Sequence, residues 1–176
     1  MEYRRALLKD QPRHLGVLNL AAEKADWGKP LGLGKGRGIA VHKSFETYVA
    51  QVAEVTVNTD NSFTVDRVVI AVDCGLPINP DVITAQMEGG MGFGLATALA
   101  SAITLKDGEV EQSNFDGYQV VRMAQYPKQV EVHIVQSDAS PTGVGEPGTP
   151  VIAPAVANAL ANATGKRFYQ LPIVMT

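Results

Sequence analysis

The chain has 176 residues, 45% of them hydrophobic and only 19% charged, which suits one packed core but is poor in charge for an independent soluble domain. A formal charge of −3 and the mixing of Arg4, Arg5, Lys9 and Arg13 with Glu2 and Asp10 argue against nucleic-acid binding. The single cysteine, Cys74, excludes an intrachain disulfide framework and cannot by itself hold an iron–sulfur cluster.

No apolar run reaches the roughly 18 residues of a transmembrane helix, and the segment Met1–Asp10 lacks the apolar core of a secretory signal. The lone cysteine leans mildly toward the cytoplasm, while in a fragment the absent signal says nothing of a longer parent, for which a periplasmic location stays open. One domain over 1–176 is expected, with a helical segment at 1–27 and a linker at 28–36. Glu2–Lys9 favours helix, and after Pro12 the residues Leu15, Leu18, Ala22 and Ala25 fall on one helical stripe. Gly28, Gly32, Gly34 and Gly36 with Pro30 then read as a loop. It is no phosphate loop, because no strand precedes it, no helix follows it, and Lys35 is followed by Gly36 instead of Ser or Thr.

Strands are predicted over Gly38–Lys43, Thr47–Asn58 and Phe63–Val72, the last two joined by an Asp60-Asn61-Ser62 turn, as an antiparallel meander. In the second of them Val49, Gln51, Ala53, Val55 and Val57 share a face, and the opposite face is partly apolar too. Asn79 and Pro80 suit the cap and first position of a helix running to about Ser101. Asp107-Gly108 centres a hairpin, Gln129–Gln136 forms a later strand, Ser137–Gly148 is a loop, and Thr149-Pro150 opens a helix ending near Gly165. With no βαβ fingerprint, these blocks predict an α+β fold, a largely antiparallel sheet with packed helices.

The chemical signals are few. In Gly143-Val144-Gly145-Glu146-Pro147-Gly148 a lone carboxylate sits among small or rigid residues. This pattern suits a plain surface turn, or an acid or base aimed into a cleft that a ligand approaches closely. A second signal is the capped start of the Asn79–Gly90 segment, where Gln86 offers a directional amide and Gly89 and Gly90 leave room for a flat ligand or another backbone. By pattern alone, ordinary capping and helix packing are the leading explanation of that segment, ahead of cofactor binding. His14, His42 and His133 are too scattered for a zinc pattern, Cys74 reads as a buried hydrophobe, and neither Ser44 nor Ser140 sits in a nucleophile elbow.

Beyond these local signals, an ordered set of segments runs along almost the whole chain: EYRRALL from Glu2, PRHLGVLNLAAEKADW from Pro12, GRGIAVHKSFETYVAQVAEV from Gly36, VDCGLPINPDVITAQMEGG from Val72, NFDGYQVVR from Asn114 and GVGEPGTPVIAPAVANALANATGKR from Gly143. This set resembles the C-terminal portion of the molybdenum-binding large subunit of the xanthine dehydrogenase and aldehyde oxidase family, particularly its isoquinoline 1-oxidoreductase beta-subunit type. The resemblance implies an oxidoreductase that hydroxylates an electrophilic carbon with water, using molybdenum-molybdopterin and a small subunit that carries [2Fe-2S] clusters. It places the catalytic base at Glu146 and cofactor contacts at Gln86, Gly89, Gly90, Gly143, Val144 and Gly145, and it implies no protein ligand to the metal.

The substrate implied is a small N-heteroaromatic, with an aldehyde as the alternative under the same chemistry. Because the family needs further large-subunit regions to enclose the cofactor, the resemblance reads the chain as a fragment completed by those regions. A noncatalytic assembly or interaction module, suggested by the low charged fraction, is the reading from a different class.

Overall fold

Alternation along the strand Thr47–Val57 sends two apolar sets to opposite sides of one sheet, and helices cover both sides. The computed structural model describes residues 1–175. Helices α1 (Glu2–Leu7) and α2 (Pro12–Lys24) come first, followed by β1 (Lys35–Ser44), β2 (Thr47–Val57) and β3 (Phe63–Asp73). Helix α3 (Pro80–Leu99), a short hairpin β4 (Leu105–Lys106) and β5 (Glu109–Val110), β6 (Gln129–Ile134) and α4 (Ile152–Thr164) complete the order. The main sheet runs β1-β2-β3-β6, with β1, β2 and β3 antiparallel and β6 added parallel to β3. The α+β class and the largely antiparallel sheet agree with the sequence.

On one face, Val17, Leu18, Ala21 and Ala22 of α2 pack on Ile39, Ala50, Val52, Val69 and Ala71. On the other, Met87, Met91 and Leu95 of α3 and Ala155, Val156, Ala159 and Leu160 of α4 cover Val49, Ala53, Val55, Val68, Ile70 and Val72. The i, i+4, i+8 spacing of the α3 residues is that of a single helical stripe. Helix α4 lies close on β1 because Gly38 has no side chain: a Cβ there would stand 2.1 Å from the Ala159 nitrogen. Arg37, on the same strand, donates to Glu54 across the ladder at 2.8 Å and to the carbonyls of Asp26 and Lys29. It thereby ties the segment after α2 to the sheet.

Two boundaries differ from expectation. β1 begins at Lys35, not Gly38, and pairs with β2 from its first residue. α4 begins at Ile152, and before it the Thr149 N–H closes a turn onto the Glu146 carbonyl at 2.9 Å. Between α3 and β6 the chain is mostly exposed and carries large apolar side chains in water, with Leu105 71%, Phe115 93% and Met123 89% exposed. No helix among the described residues is long and apolar enough to cross a membrane.

Candidate functional site

The loop from Ser137 to Val151 is assembled on the ends of β2, β3 and α3, and backbone bonds pin its first half. Leu76 N–H donates to the Ala139 carbonyl at 2.8 Å and Thr142 N–H to the Cys74 carbonyl at 2.9 Å. Gly75 permits this: its φ of 75° lies in the left-handed region, and a Cβ would come within 2.2 Å of the Ser140 oxygen. The turn at Gly75 is held in its own right by Asp73, whose Oδ1 accepts the Gly75 N–H at 3.1 Å and the Arg13 Nη2–H at 2.6 Å. The Arg13 bond holds the Asp73 carboxyl below its ordinary value against the opposing effect of burial. Burial pushes the neighbouring Cys74 thiol up, as expected of an inert core cysteine.

Side chains hold the second half. Thr47 donates its hydroxyl hydrogen to the Gly143 carbonyl at 2.7 Å and lies 2.6 Å from the Thr142 hydroxyl, which therefore donates back to it. Gln51, fully buried, donates from Nε2 to the Gly148 carbonyl at 2.7 Å. Val144 packs against the main core and Pro147 is buried, whereas Gly143, Gly145 and Glu146 face outward. The carboxylate of Glu146 is thus presented at the surface between two anchored residues, with no hydrogen-bond or ion-pair partner among the described residues.

Helix α3 forms the other wall. Its N-terminus is capped as expected, the Asn79 side chain accepting the Val82 N–H at 3.1 Å. Gln86 is exposed, and its Nε2 lies 4.0 Å from where a Gly145 Cβ would stand. Gly89 is exposed with nothing within 4 Å of its missing side chain, while Gly90 faces Thr149, whose hydroxyl would be 3.3 Å from a Cβ. At Gly94 the approach is closest, a Cβ standing 2.1 Å from the Thr149 carbonyl oxygen. The structure therefore brings Gln86 and Gly90 of α3 against the loop that carries Gly143, Val144, Gly145 and Glu146, while Gly89 lies exposed on the same helix with no loop atom near it.

A larger concavity of about 710 Å³, lined by Phe63, Leu99, Met123, Tyr126, Ile173 and Met175 among others, contains none of these residues. Among the described residues no cluster of His, Cys, Asp or Glu could hold a metal ion. Sequence reasoning alone misses Thr47, Thr142, Thr149 and the Arg13–Asp73 pair, and finds Gln51 only as a strand residue. Gln51 does carry a signal, as the polar member of the face formed by Val49, Ala53 and Val55.

Comparison with known proteins identifies the family. The model of the molybdopterin cofactor-binding domain matches residues 20–127. The chain belongs to the molybdopterin cofactor-binding domain family. The matched span contains Gln86, Gly89 and Gly90 and stops short of the Glu146 loop.

The beta subunit of isoquinoline 1-oxidoreductase from Brevundimonas diminuta is 38% identical over 177 residues, which cover 98% of this chain and 22% of that protein. A subunit of nicotinate dehydrogenase from Pseudomonas putida is 29% identical over 191 residues, covering 98% of this chain and 16% of that protein. The chain thus spans about a fifth of the length of these relatives. Among solved structures, aldehyde oxidoreductase from Desulfovibrio gigas matches with a TM-score of 0.62 at 27% identity, over 72% of this chain and 14% of that one. Quinoline 2-oxidoreductase from Pseudomonas putida 86 shares the fold with a TM-score of 0.61 at 19% identity, over 68% of this chain and 16% of that one.

Proposed function

We propose that this chain is the base-bearing C-terminal part of a molybdenum hydroxylase large subunit, acting on an electrophilic carbon of a small N-heteroaromatic substrate with water as the oxygen source. The observation that carries the reading is the placement of Glu146, exposed and between the anchored Val144 and Pro147, next in sequence to Gly145, which approaches Gln86 of α3. When bound, molybdenum-molybdopterin supplies the two-electron acceptor and the activated oxygen.

The residues present fit such a group. Gln86 offers an amide in the exposed face, Gly89 opposes no side chain to a flat ligand, and Gly143, Val144 and Gly145 form the backbone edge leading to Glu146. From that edge, the Glu146 carboxylate takes the proton of the attacking oxygen, increasing its nucleophilicity. A [2Fe-2S] cluster that accepts the electrons would have its thiolates outside this chain, whose single cysteine is buried where a cluster needs several; a small subunit would carry it. The remaining large-subunit regions close the cofactor and substrate pocket and cover the exposed apolar stretch between α3 and β6.

The names of the two relatives, isoquinoline 1-oxidoreductase and nicotinate dehydrogenase, favour an N-heteroaromatic substrate. Aldehyde oxidation is the second reading, favoured by the aldehyde oxidoreductase similarity. The deciding experiment assembles the complete large subunit with its iron–sulfur partner and replaces Glu146 by Gln. Turnover should fall by about 10²–10⁴-fold with molybdenum content unchanged, and parental turnover in E146Q would reject the base role. Assays of aldehydes beside N-heterocycles separate the two substrates.

A further inference from the structure

We propose that Gln51 is a positioning residue that sets the pose of Glu146 through the Gly148 carbonyl. This inference rests on the base role of Glu146. Gln51 sits in the middle of β2 with no exposed surface, on a face otherwise made of Val49, Ala53 and Val55. A glutamine amide has two donors and one acceptor oxygen to satisfy. Here Nε2 donates to the Gly148 carbonyl at 2.7 Å, while Oε1 is buried without a hydrogen-bond partner. An apolar residue of similar volume would fill the same space but take the donor from the buried Gly148 carbonyl, so the glutamine serves that carbonyl and not the volume alone.

What the amide does accomplish is local. Gly148 is pressed between β2 and α3: a Cβ there would stand 3.0 Å from the Met87 carbonyl oxygen. From this clamped residue the chain turns back on itself, the Thr149 N–H donating to the Glu146 carbonyl at 2.9 Å. Buried Pro147 links the two and restricts the backbone of Glu146. The direction of the Gly148 carbonyl therefore fixes the peptide that carries the base, and Gln51 is the side chain that holds that carbonyl. Any tilt of this peptide moves Glu146 relative to Gln86 on the facing helix.

The test uses the assembled holoenzyme and three variants. Gln51→Leu removes the donor and keeps the volume; kcat should drop about tenfold with KM nearly unchanged. A purely structural role would lower Tm and leave the kcat of the folded enzyme in place. Gln51→Glu supplies an isosteric donor only while its carboxyl is protonated, a form that burial favours. Its kcat relative to the parent should be near one at about pH 6 and fall about tenfold by about pH 9 as the buried acid ionises.

Parental kcat in folded Q51L overturns the proposal, and where Q51L fails to fold a Q51E ratio that stays constant with pH does so. E146Q, measured in parallel, separates the two readings. An inactive E146Q beside a parental Q51L sinks only the role of Gln51, whereas an active E146Q sinks the base reading and this inference with it.

Discussion

Arg13 grips Asp73 with two parallel bonds, Nε to Oδ2 at 2.8 Å and Nη2 to Oδ1 at 2.6 Å, and so ties α2 to the end of β3 where the Glu146 loop is seated. The same guanidinium lies 4.5 Å over the Tyr48 ring. The Asp73 side chain is 6% exposed and that of Arg13 31%. Asp73→Asn should therefore cost about 2–3 kcal/mol at neutral pH, below the roughly 3–5 of a pair buried on both sides. Because the bond with Arg13 depresses the Asp73 pKa below 3.8, this stabilisation is fully present above that value and is lost as pH falls through the folded-state value. Urea unfolding at neutral pH and near pH 3 checks it: the gap between parent and variant should narrow on acidification. A gap of constant size would contradict the electrostatic account.

Gly94→Ala tests the seam between α3 and the segment behind Glu146. In an open helix, replacing Gly by Ala stabilises by about 1 kcal/mol. At Gly94 the new methyl would stand 2.1 Å from the Thr149 oxygen, so α3 must back away, at about 1–3 kcal/mol of destabilisation. Amide exchange around Glu146–Thr149 should accelerate together with the lower urea midpoint. A stabilised variant would mean that the helix is not seated on Thr149.

The parts of this molecule legible in sequence are those specified by neighbours along the chain. A β-rich run with apolar residues on both faces marks β2, an Asp-Asn-Ser turn marks its junction with β3, and Asn79-Pro80 marks the start of α3. Thr149-Pro150-Val151 reads as the start of a helix in sequence yet is a turn, in which the Thr149 N–H bonds the Glu146 carbonyl. Features made by distant partners leave no local trace: β6 lies parallel to β3 across an intervening helix, Arg13 and Asp73 are 60 positions apart, and Gln51 and Gly148 are 97 apart. For the candidate site, the glycine-flanked glutamate looks like any surface turn until the whole ordered set of segments is weighed. The structure adds what spacing could not, that Gln86 of α3 and Gly145 of the loop are neighbours.

Cys74 should resist chemistry. It is 2% exposed, and burial raises its thiol pKa, so little thiolate is present at neutral pH and no reagent reaches it without local opening. Labelling by a thiol reagent in the folded chain should be at least about a hundredfold slower than in urea. Rapid labelling under native conditions would show that the Asp73–Gly75 turn, and with it the seat of the Ser137–Val151 loop, opens readily.

Gly89→Ala separates a packing glycine from a ligand-facing one. Nothing lies within 4 Å of the position its Cβ would take, and the residue is exposed inside α3. In this chain alone the substitution should stabilise the helix by about 0.5–1 kcal/mol, read as a higher urea midpoint. In the assembled subunit the added methyl projects from the face assigned to the cofactor, and molybdenum content should fall several-fold although the protein is no less stable. Stabilisation with full molybdenum content would remove Gly89 from the cofactor contacts and leave Gln86 and the Gly143–Gly145 edge to carry them. Destabilisation of the chain would instead show that another part of the same chain occupies that face, which would count against an open site at this end of the sheet.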